Sequence, residues 1–255
     1  MKVNLGITAL NTHDWDRFEA QDWSRPPVVP DHYIWDRLVE MGDLAEPLGF
    51  DGIWVAEHFA TPYCMTPNPL QVLSYFAART DRISLGTMVV VLPWWHPVQL
   101  AHEIAHLDIL LKGRPLQLGF GRGVAHYEFE PLGLPMEQTR QRFVEGLDVL
   151  RLALTQERFS YDGEICKIPE TSIRPRPRSK DILDRAMGAF TTPESMEVIA
   201  RRGLDPLMVG AKPLSATRAD TAGDRQAPHD APRREGVGPA GSGHGDCLRR
   251  AGRLA

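Results

Sequence analysis

The stretch ISLGTMVVVLPWWHPVQLAHEIAHLDILLKGRPLQLGFGRG, residues 83–123, decides the fold class. Residues 83–92 form an apolar, largely β-branched run, which is typical of a strand buried on both faces. A proline opens the next run, and the apolar residues of 97–111 recur at helical spacing. Residues 116–120 are a second short apolar run, closed by glycines. Strand, helix and strand in this order predict a parallel pair joined by a right-handed crossover.

The same alternation continues on both sides of this stretch. Further strands are predicted at residues 3–10, 52–56, 186–190 and 206–209. Further helices are predicted at residues 35–48, 69–78, 137–154 and 193–202. Residues 159–168 favour a small hairpin that turns at Asp162-Gly163. The alternation predicts an α/β fold of the (βα)8 TIM-barrel type, incomplete, with about six of the usual βα units present.

A doubly wound sheet is the alternative architecture. A dinucleotide site in such a sheet would place G-x-G-x-x-G after the first strand. The glycines here are Gly119, Gly121 and Gly123; they follow the fourth predicted strand and have a different spacing. The barrel is therefore the favoured interpretation.

The composition changes near the end of the chain. Residues 211–255 contain no Phe, Trp, Tyr, Ile or Met, and Ala, Arg, Gly, Asp and Pro dominate. Such a segment buries too little apolar surface to offset its ordering entropy. We expect a partial barrel over residues 1–214 and a disordered low-complexity tail over 215–255. The tail also has the composition that a GC-rich gene yields when it is read out of frame.

Charge and cysteine content limit the function classes. The net charge of −4 gives no reason to expect a nucleic-acid or acidic-membrane partner. Three widely separated cysteines, Cys64, Cys166 and Cys247, indicate free thiols in a reducing compartment. No stretch approaches the roughly 18 apolar residues of a membrane helix, and the first residues do not resemble a signal peptide. We expect a cytoplasmic protein.

Polar residues follow three of the predicted strands. Barrel enzymes have their catalytic residues at these carboxyl ends of the strands. Glu57-His58 ends the second strand; a histidine there titrates near neutral pH, although a purely structural pair is also compatible. Arg122 follows the fourth strand among glycines and suits a phosphate, or else lies solvated beside a tight turn. Residues 191–195, TTPES, open a helix whose N–H groups and Ser195 hydroxyl suit an anion; an ordinary cap by a threonine is the other interpretation.

Two further motifs have weaker interpretations. His102, Glu103 and His106 match the H-E-x-x-H pattern of zinc hydrolases, with Glu128 as a conceivable third ligand. The helical wheel places both histidines opposite the apolar stripe, on the outside of a barrel, which disfavours a zinc site. The adjacent Trp94 and Trp95 either wall a flat apolar pocket or pack in a loop.

Several short segments, spread over most of residues 3–214, form a recognisable set when taken in chain order. They are WVAEH (54–58), PNPL (67–70), AART (77–80), RISLGT (82–87), VVLP (90–93), HP (96–97), LG (118–119), GRG (121–123) and PES (193–195). Together these segments resemble the bacterial luciferase-like flavin monooxygenase family.

The resemblance implies a (βα)8 barrel, often a homodimer, that takes reduced FMN from a separate flavin reductase and uses oxygen to oxidise a small organic substrate. It places the FMN phosphate on Arg122 and Ser195, with Glu194 beside them and Val124 touching the cofactor. It makes His58 the proton-transferring residue, with Glu57 close to the flavin ring. It also implies a non-proline cis peptide beneath the flavin near Thr87-Met88-Val89, which makes Thr87 and Met88 cofactor-binding residues.

The sequence departs from the family pattern at two places. Phe59 stands where family members often have a second histidine after His58. The resemblance ends after about Leu214, so strands seven and eight are not recognisable. A barrel open on that side would expose sheet edges and core, and we expect weak or no turnover from it.

Three other functions remain alternatives. An F420-dependent hydride-transfer oxidoreductase uses the same scaffold, and the phosphate-site residues do not distinguish it from an FMN enzyme. A zinc metallohydrolase would use His102, Glu103 and His106. A fragment that binds flavin without catalysis would follow from an incomplete barrel.

Overall fold

The computed structural model describes residues 1–208. The prediction of a disordered tail at 215–255, the Cys247 thiol and the last residue of the sixth predicted strand lie outside this part of the chain. The strands are β1 Asn4–Ile7, β2 Gly52–Val55, β3 Ser84–Thr87, β4 Val90–Val91, β5 Leu116–Gln117, β6 Gly119–Gly121, β7 Phe159–Asp162, β8 Lys167–Thr171, β9 Met187–Phe190 and β10 Asp205–Met208. The helices are α1 Trp15–Glu19, α2 Asp31–Ala45, α3 Pro69–Ala77, α4 Pro97–Leu110, α5 His126–Phe129, α6 Thr139–Thr155 and α7 Pro193–Arg201.

The barrel strands are all parallel and neighbour one another in chain order. One ladder runs β1-β2-β3-β5 and a second runs β4-β6-β9-β10. The strand predicted at 83–92 is interrupted between β3 and β4, and the strand predicted at 116–120 is interrupted between β5 and β6. Joining each interrupted pair leaves six consecutive parallel strands, as the sequence predicts. Within residues 1–208, β1 and β10 are the two edges of this open barrel.

The break between β3 and β4 is the Met88–Val89 peptide, which is cis. A non-proline cis bond at this place is what the family resemblance implies, so that expectation is confirmed. Met88 and Val89 are both half-buried, whereas Thr87 before them and Val90 after them are buried.

Helices cover the outside of the strands and share one core with them. Proline begins α3, α4 and α7, and at α3 the Asn68 side chain accepts the Gln71 N–H as an N-terminal cap. The largest fully buried side chains come from both layers, among them Phe76, Phe120, Ile53, Leu85, Leu100 and Ile104. Cys64 and Cys166 are free thiols, as expected. None of the helices in residues 1–208 is long and apolar enough to cross a membrane.

The predicted hairpin forms beside α6, with β7 and β8 antiparallel. Its second strand begins at Lys167 rather than at residue 164. The buried carboxylate of Glu145 on α6 accounts for this difference, since it accepts the backbone N–H groups of Glu164, Ile165 and Cys166. Those N–H groups are therefore not available to a strand ladder, and the turn is longer than predicted.

Replacing Glu145 by glutamine should destabilise the fold by about 1–3 kcal/mol near neutral pH, because an amide cannot accept all three N–H groups. Burial alone would raise the pKa of Glu145, but the bonds from Cys166, Gln141 and Ile165 lower it below its ordinary 4.5. A lowered pKa stabilises the fold above the unfolded value and loses that effect as pH falls. Denaturant unfolding at several pH values should therefore show the difference shrinking below about pH 4.5.

The matched control is Glu164→Gln, which changes an exposed carboxylate in the same turn. We expect it to leave the free energy of unfolding within about 0.5 kcal/mol of the unchanged chain. Equal effects of the two substitutions would contradict the role given to Glu145.

Candidate active site at the carboxyl ends of the strands

The candidate site lies where the parallel strands end. His58 comes three residues after β2, Arg122 comes directly after β6, and Ser195 lies in the first turn of α7, which follows β9. Parallel strands bring their carboxyl ends to one face of the barrel, so residues far apart in sequence meet there.

Arg122 and Ser195 line the same pocket, although 73 positions separate them in sequence. Its other lining residues are Arg140, Phe143, Ala189, Val198 and Ile199. The pairing of Arg122 with Ser195 at one place is what the family resemblance implies. Their role toward a phosphate stays a prediction.

The pocket contains two guanidinium groups. Arg122 is half-buried, and burial followed by the nearby charge of Arg140 lowers its pKa. Neither arginine forms an ion pair with an acidic side chain of residues 1–208. Two close cations repel each other, and an anion between them would remove that repulsion. The donor set therefore suits a phosphate.

Arg140 is a site residue that the sequence interpretation missed. It is the second residue of α6, in a first turn that has no acidic side chain. Because the helix dipole makes that end positive, a cation there is unfavourable unless something else requires it. The mismatch follows from the start of α6 at Thr139; the helix predicted from residue 137 has Glu137 in its first turn, so the sequence alone did not mark Arg140.

The start of α7 supports both interpretations of residues 191–195. Thr192 is the N-terminal cap, since its Oγ1 accepts the N–H of Ser195 at 3.3 Å. The hydroxyls of Thr192 and Ser195 lie 3.0 Å apart. Glu194 is exposed; its own backbone N–H lowers its pKa most, followed by Thr192, with a smaller contribution from Arg140. The cap thus holds Ser195 at the pocket, and Glu194 lies within the field of Arg140.

His58 is fixed by a carboxylate from a distant loop. Its Nδ1 lies 2.7 Å from Oε1 of Glu128, whose residue is only 1% exposed. The ring also packs edge-on against Tyr63, with 4.9 Å between centroids. The His58 side chain itself keeps 27% of its surface exposed, so the imidazole remains accessible. Glu128 entered the sequence interpretation only as a conceivable zinc ligand.

Glu57 is buried and occupied by hydrogen bonds, and its place close to a flavin ring stays a prediction. Its residue is 1% exposed, and its carboxylate accepts from the Val91 backbone N–H and, at 2.8 Å, from Nε1 of Trp95. Burial raises the pKa of Glu57 to about 8 despite those two bonds. Its hydrogen bonds link the end of β2 to β4 and to the segment that follows β4.

The remaining predicted cofactor residues differ in what they can offer a ligand. Thr87 is fully buried, and its hydroxyl bonds both the carbonyl and the N–H of Gly119, which leaves that side chain no surface for a cofactor. Met88 is half-buried and passes close to Gly6 of β1, where an added Cβ would lie 2.8 Å from Cε of Met88. Val124 is 76% exposed and does not line the arginine pocket.

The H-E-x-x-H residues are not gathered around a common point. His102 is half-buried, with Nδ1 2.8 Å from the Val98 carbonyl, and His106 is exposed. Glu128, the conceivable third ligand, is bound to His58 instead. Over residues 1–208, no cluster of three or more His, Cys, Asp or Glu side chains is placed to hold a metal ion.

The two tryptophans pack rather than forming a single flat wall. The Trp94 ring lies edge-on to Phe59 and Phe129, with centroid distances of 4.9 and 5.5 Å. Trp95 donates to Glu57. Both also border a cleft between the segment after β4, α6 and the hairpin. Phe59 thus contributes packing where family members often have a histidine.

The family model for luciferase-like monooxygenases matches residues 15–234. Since this match covers most of the chain, the protein belongs to the luciferase-like monooxygenase family. The match continues about twenty residues beyond residue 214, where the sequence interpretation placed its end.

One curated relative is the oxygenase component of the flavin-dependent trigonelline monooxygenase of Acinetobacter baylyi. It is 33% identical over 146 residues, which are 56% of this chain and 40% of the relative. The chain therefore spans less than half the length of this relative.

Two solved structures share the fold. The oxygenating constituent of 3,6-diketocamphane monooxygenase from Pseudomonas putida, solved with FMN, has a TM-score of 0.70 at 20% identity. The match covers 90% of this chain and 63% of that one. An F420-dependent secondary alcohol dehydrogenase, solved with an F420-acetone adduct, has a TM-score of 0.65 at 18% identity and covers 89% and 65% of the two chains. At these identities the similarity establishes the barrel architecture.

The buried carboxyl of Glu57 should give the stability of the protein a measurable pH dependence. Its pKa in the fold, about 8, is above its ordinary value of 4.5, so the folded state binds the extra proton. The free energy of unfolding of the unchanged chain should fall relative to Glu57→Gln, by a few kcal/mol at most, as pH rises from about 5 to about 8.

Denaturant unfolding of both proteins across this range measures the difference. Glu145→Gln is the comparison variant, because the pKa of Glu145 is shifted in the opposite direction. The difference in free energy of unfolding between this variant and the unchanged chain should therefore change at acid pH. Parallel profiles of the unchanged chain and the Glu57 variant would show that this carboxyl does not titrate as proposed.

Proposed function

We propose that the protein is an FMN-dependent monooxygenase that uses reduced flavin and oxygen to oxidise a small organic substrate, with a separate reductase supplying the flavin. The observation that carries this proposal is the pocket shared by Arg122, Arg140 and Ser195 at the start of α7. Family membership and the accessible imidazole of His58 at the same barrel end support it.

In this proposal the pocket holds the FMN phosphate. Arg122 and Arg140 supply charge-assisted hydrogen bonds, and Ser195 adds a hydroxyl donor. The first turn of α7 adds the positive end of a helix dipole. These groups fix one end of the cofactor and so orient the rest of it along the mouth. We infer that the backbone at Met88–Val89 and the side chain of Met88 border the ring.

His58 is the residue we propose to hold or move a proton near the reacting atoms. It is the accessible imidazole at the end of β2, and an imidazole can do this near neutral pH. When bound, reduced FMN supplies the activation of oxygen. Glu57 then acts as a positioning residue, since it joins the end of β2 to the backbone of Val91 and the indole of Trp95.

Arg122→Ala should weaken binding of reduced FMN by about 10- to 100-fold, the effect of losing a charge-assisted contact. An anaerobic titration measured by flavin fluorescence gives the dissociation constant. Arg142→Ala is the matched control: Arg142 lies on the same helix but bonds Gln138 and lines the cleft beside Trp94 and Trp95. The affinity of the Arg142→Ala variant for reduced FMN should stay within about twofold of that of the unchanged chain.

The same titration with F420 in place of FMN tests the alternative that this scaffold serves hydride transfer. Tighter binding of F420 than of reduced FMN, lost in Arg122→Ala, would assign the pocket to that cofactor. Unchanged binding of both cofactors in Arg122→Ala would remove the pocket from the proposal.

His58→Asn should lower the rate of oxygenation by about 100-fold or more relative to the unchanged chain, because proton transfer acts in the transition state. The affinity for reduced FMN should change by no more than about twofold, since His58 is not part of the arginine pocket. Substrate oxidised per reduced flavin consumed, followed after rapid mixing with oxygen, is the measurement. An unchanged rate would exclude His58 from proton transfer.

A further inference from the structure

Glu128 contacts the proposed proton-transfer residue, His58, through a short, partly buried hydrogen bond. We propose that Glu128 is a positioning residue that holds the neutral ring of His58 in the Nδ1–H tautomer and leaves Nε2 as the nitrogen with a free lone pair. Any role of Nε2 in proton transfer rests on the function proposed above. The assignment of the tautomer does not rest on that function.

The hydrogen-bond donors around Glu128 decide the tautomer. Oε1 of Glu128 lies 3.2 Å from the backbone nitrogen of Phe59 and 2.7 Å from Nδ1 of His58. A backbone N–H can only donate, so this oxygen is an acceptor. A ring nitrogen facing an acceptor oxygen carries the proton, which places the hydrogen of the neutral ring on Nδ1.

Burial and packing make this arrangement specific to one ring orientation. Glu128 is 1% exposed, and an unpartnered carboxylate at that depth would be strongly unfavourable. Tyr63 packs edge-on against the ring and limits its rotation. Within residues 1–208 Nε2 of His58 has no hydrogen-bond partner, and it lies on a side chain that keeps 27% of its surface.

The loop that carries Glu128 is fixed independently of His58. Glu128 lies in α5, and the next residue, Phe129, is buried against Trp94. Gly123 lets the chain turn towards α5, because its φ of +72° is unfavourable for other residues and an added Cβ would lie 2.7 Å from the Phe129 ring. The packed backbone of α5 therefore positions Glu128 against His58, and Glu128 is not a freely rotating surface side chain.

Nitrogen-15 NMR of the imidazoles in the cofactor-free 255-residue chain tests the proposal directly. His58→Asn assigns the signals among the nine histidines. At a pH where the ring is neutral, Nδ1 should show the shift of a protonated nitrogen and Nε2 that of an unprotonated one, with at least about tenfold preference. A free histidine side chain favours the opposite tautomer, so an Nε2–H ring in the unchanged chain would overturn the proposal.

Two substitutions at Glu128 test whether its hydrogen bond, rather than the volume of its side chain, determines the tautomer of His58. Glu128→Leu removes the acceptor and should switch His58 to the Nε2–H form. Glu128→Gln should keep the Nδ1–H form, because Phe59 N–H still orients the amide oxygen toward the same place. Glu130→Leu, which removes an exposed carboxylate two residues further on, should change nothing. Persistence of the Nδ1–H form in Glu128→Leu would overturn the proposal.

The indole N–H signal of Trp95 reports whether each variant keeps the local fold. Trp95 donates to Glu57, so its signal should stay in place in the three variants. If Glu128→Leu loses that signal, Glu128→Ser replaces it as the test variant. The serine hydroxyl is too short to reach His58, so His58 should again lose the Nδ1–H form.

Turnover measurements distinguish this proposal from the proposed function. If His58 transfers a proton, Glu128→Leu should lower kcat by about tenfold or more without changing the affinity for reduced FMN, and Glu128→Gln should restore most of the rate. If the tautomer switches in Glu128→Leu but kcat does not change, proton transfer by His58 is excluded, and the positioning role of Glu128 stands.

Discussion

The contact between Thr87 and Gly119 is the constraint on which the mouth of the barrel depends. The Thr87 hydroxyl bonds the carbonyl and the N–H of Gly119, each at 2.9 Å, where the ladder of β3 and β5 gives way to that of β4 and β6. A Cβ on residue 119 would lie 2.3 Å from the Thr87 carbonyl, so only glycine allows this approach. The side chain replaces ladder bonds that the interrupted strands cannot make, and it keeps both strands in register up to their carboxyl ends.

That register determines where the site residues lie. Beyond the interruption, Val91 is placed so that its N–H reaches the carboxylate of Glu57, and Trp95 reaches the other oxygen. These two bonds occupy the carboxylate of Glu57, and the next side chain, His58, bonds Glu128. The burial that raises the pKa of Glu57 is therefore a consequence of its structural role, and a raised pKa alone does not identify it as a catalytic acid.

Sequence patterns predicted what is local and missed what depends on distant pairs. The strand–helix alternation gave six parallel strands in order, and proline-led helices were placed to within a few residues. The breaks at Met88–Val89 and Leu118 were not visible in apolar runs, because continuous burial looks the same on both sides of a break. Glu128 lies 70 positions from His58, and nothing in its own neighbourhood marks it as a partner. Arg140 was missed because the predicted helix begins at Glu137, an acidic residue that makes a nearby cation unremarkable.

One loop links the two halves of the candidate site. Arg122 lies at its beginning in the pocket shared with Arg140 and Ser195, and Glu128 lies near its end against His58. The turn at Gly123 lies between them, and the buried ring of Phe129 follows. Displacing that segment would move a guanidinium and a carboxylate together, so the pocket of Arg122 and the contact to the His58 imidazole share one backbone segment. In the part of the chain that the structure describes, residues 1–208, the groups that make both sets of contacts come from residues 57–199, in the strands β4 and β9 and in the segments that follow β2, β4, β6 and β9. The local geometry of these groups therefore depends on the middle of the barrel, whichever elements wall its remaining side.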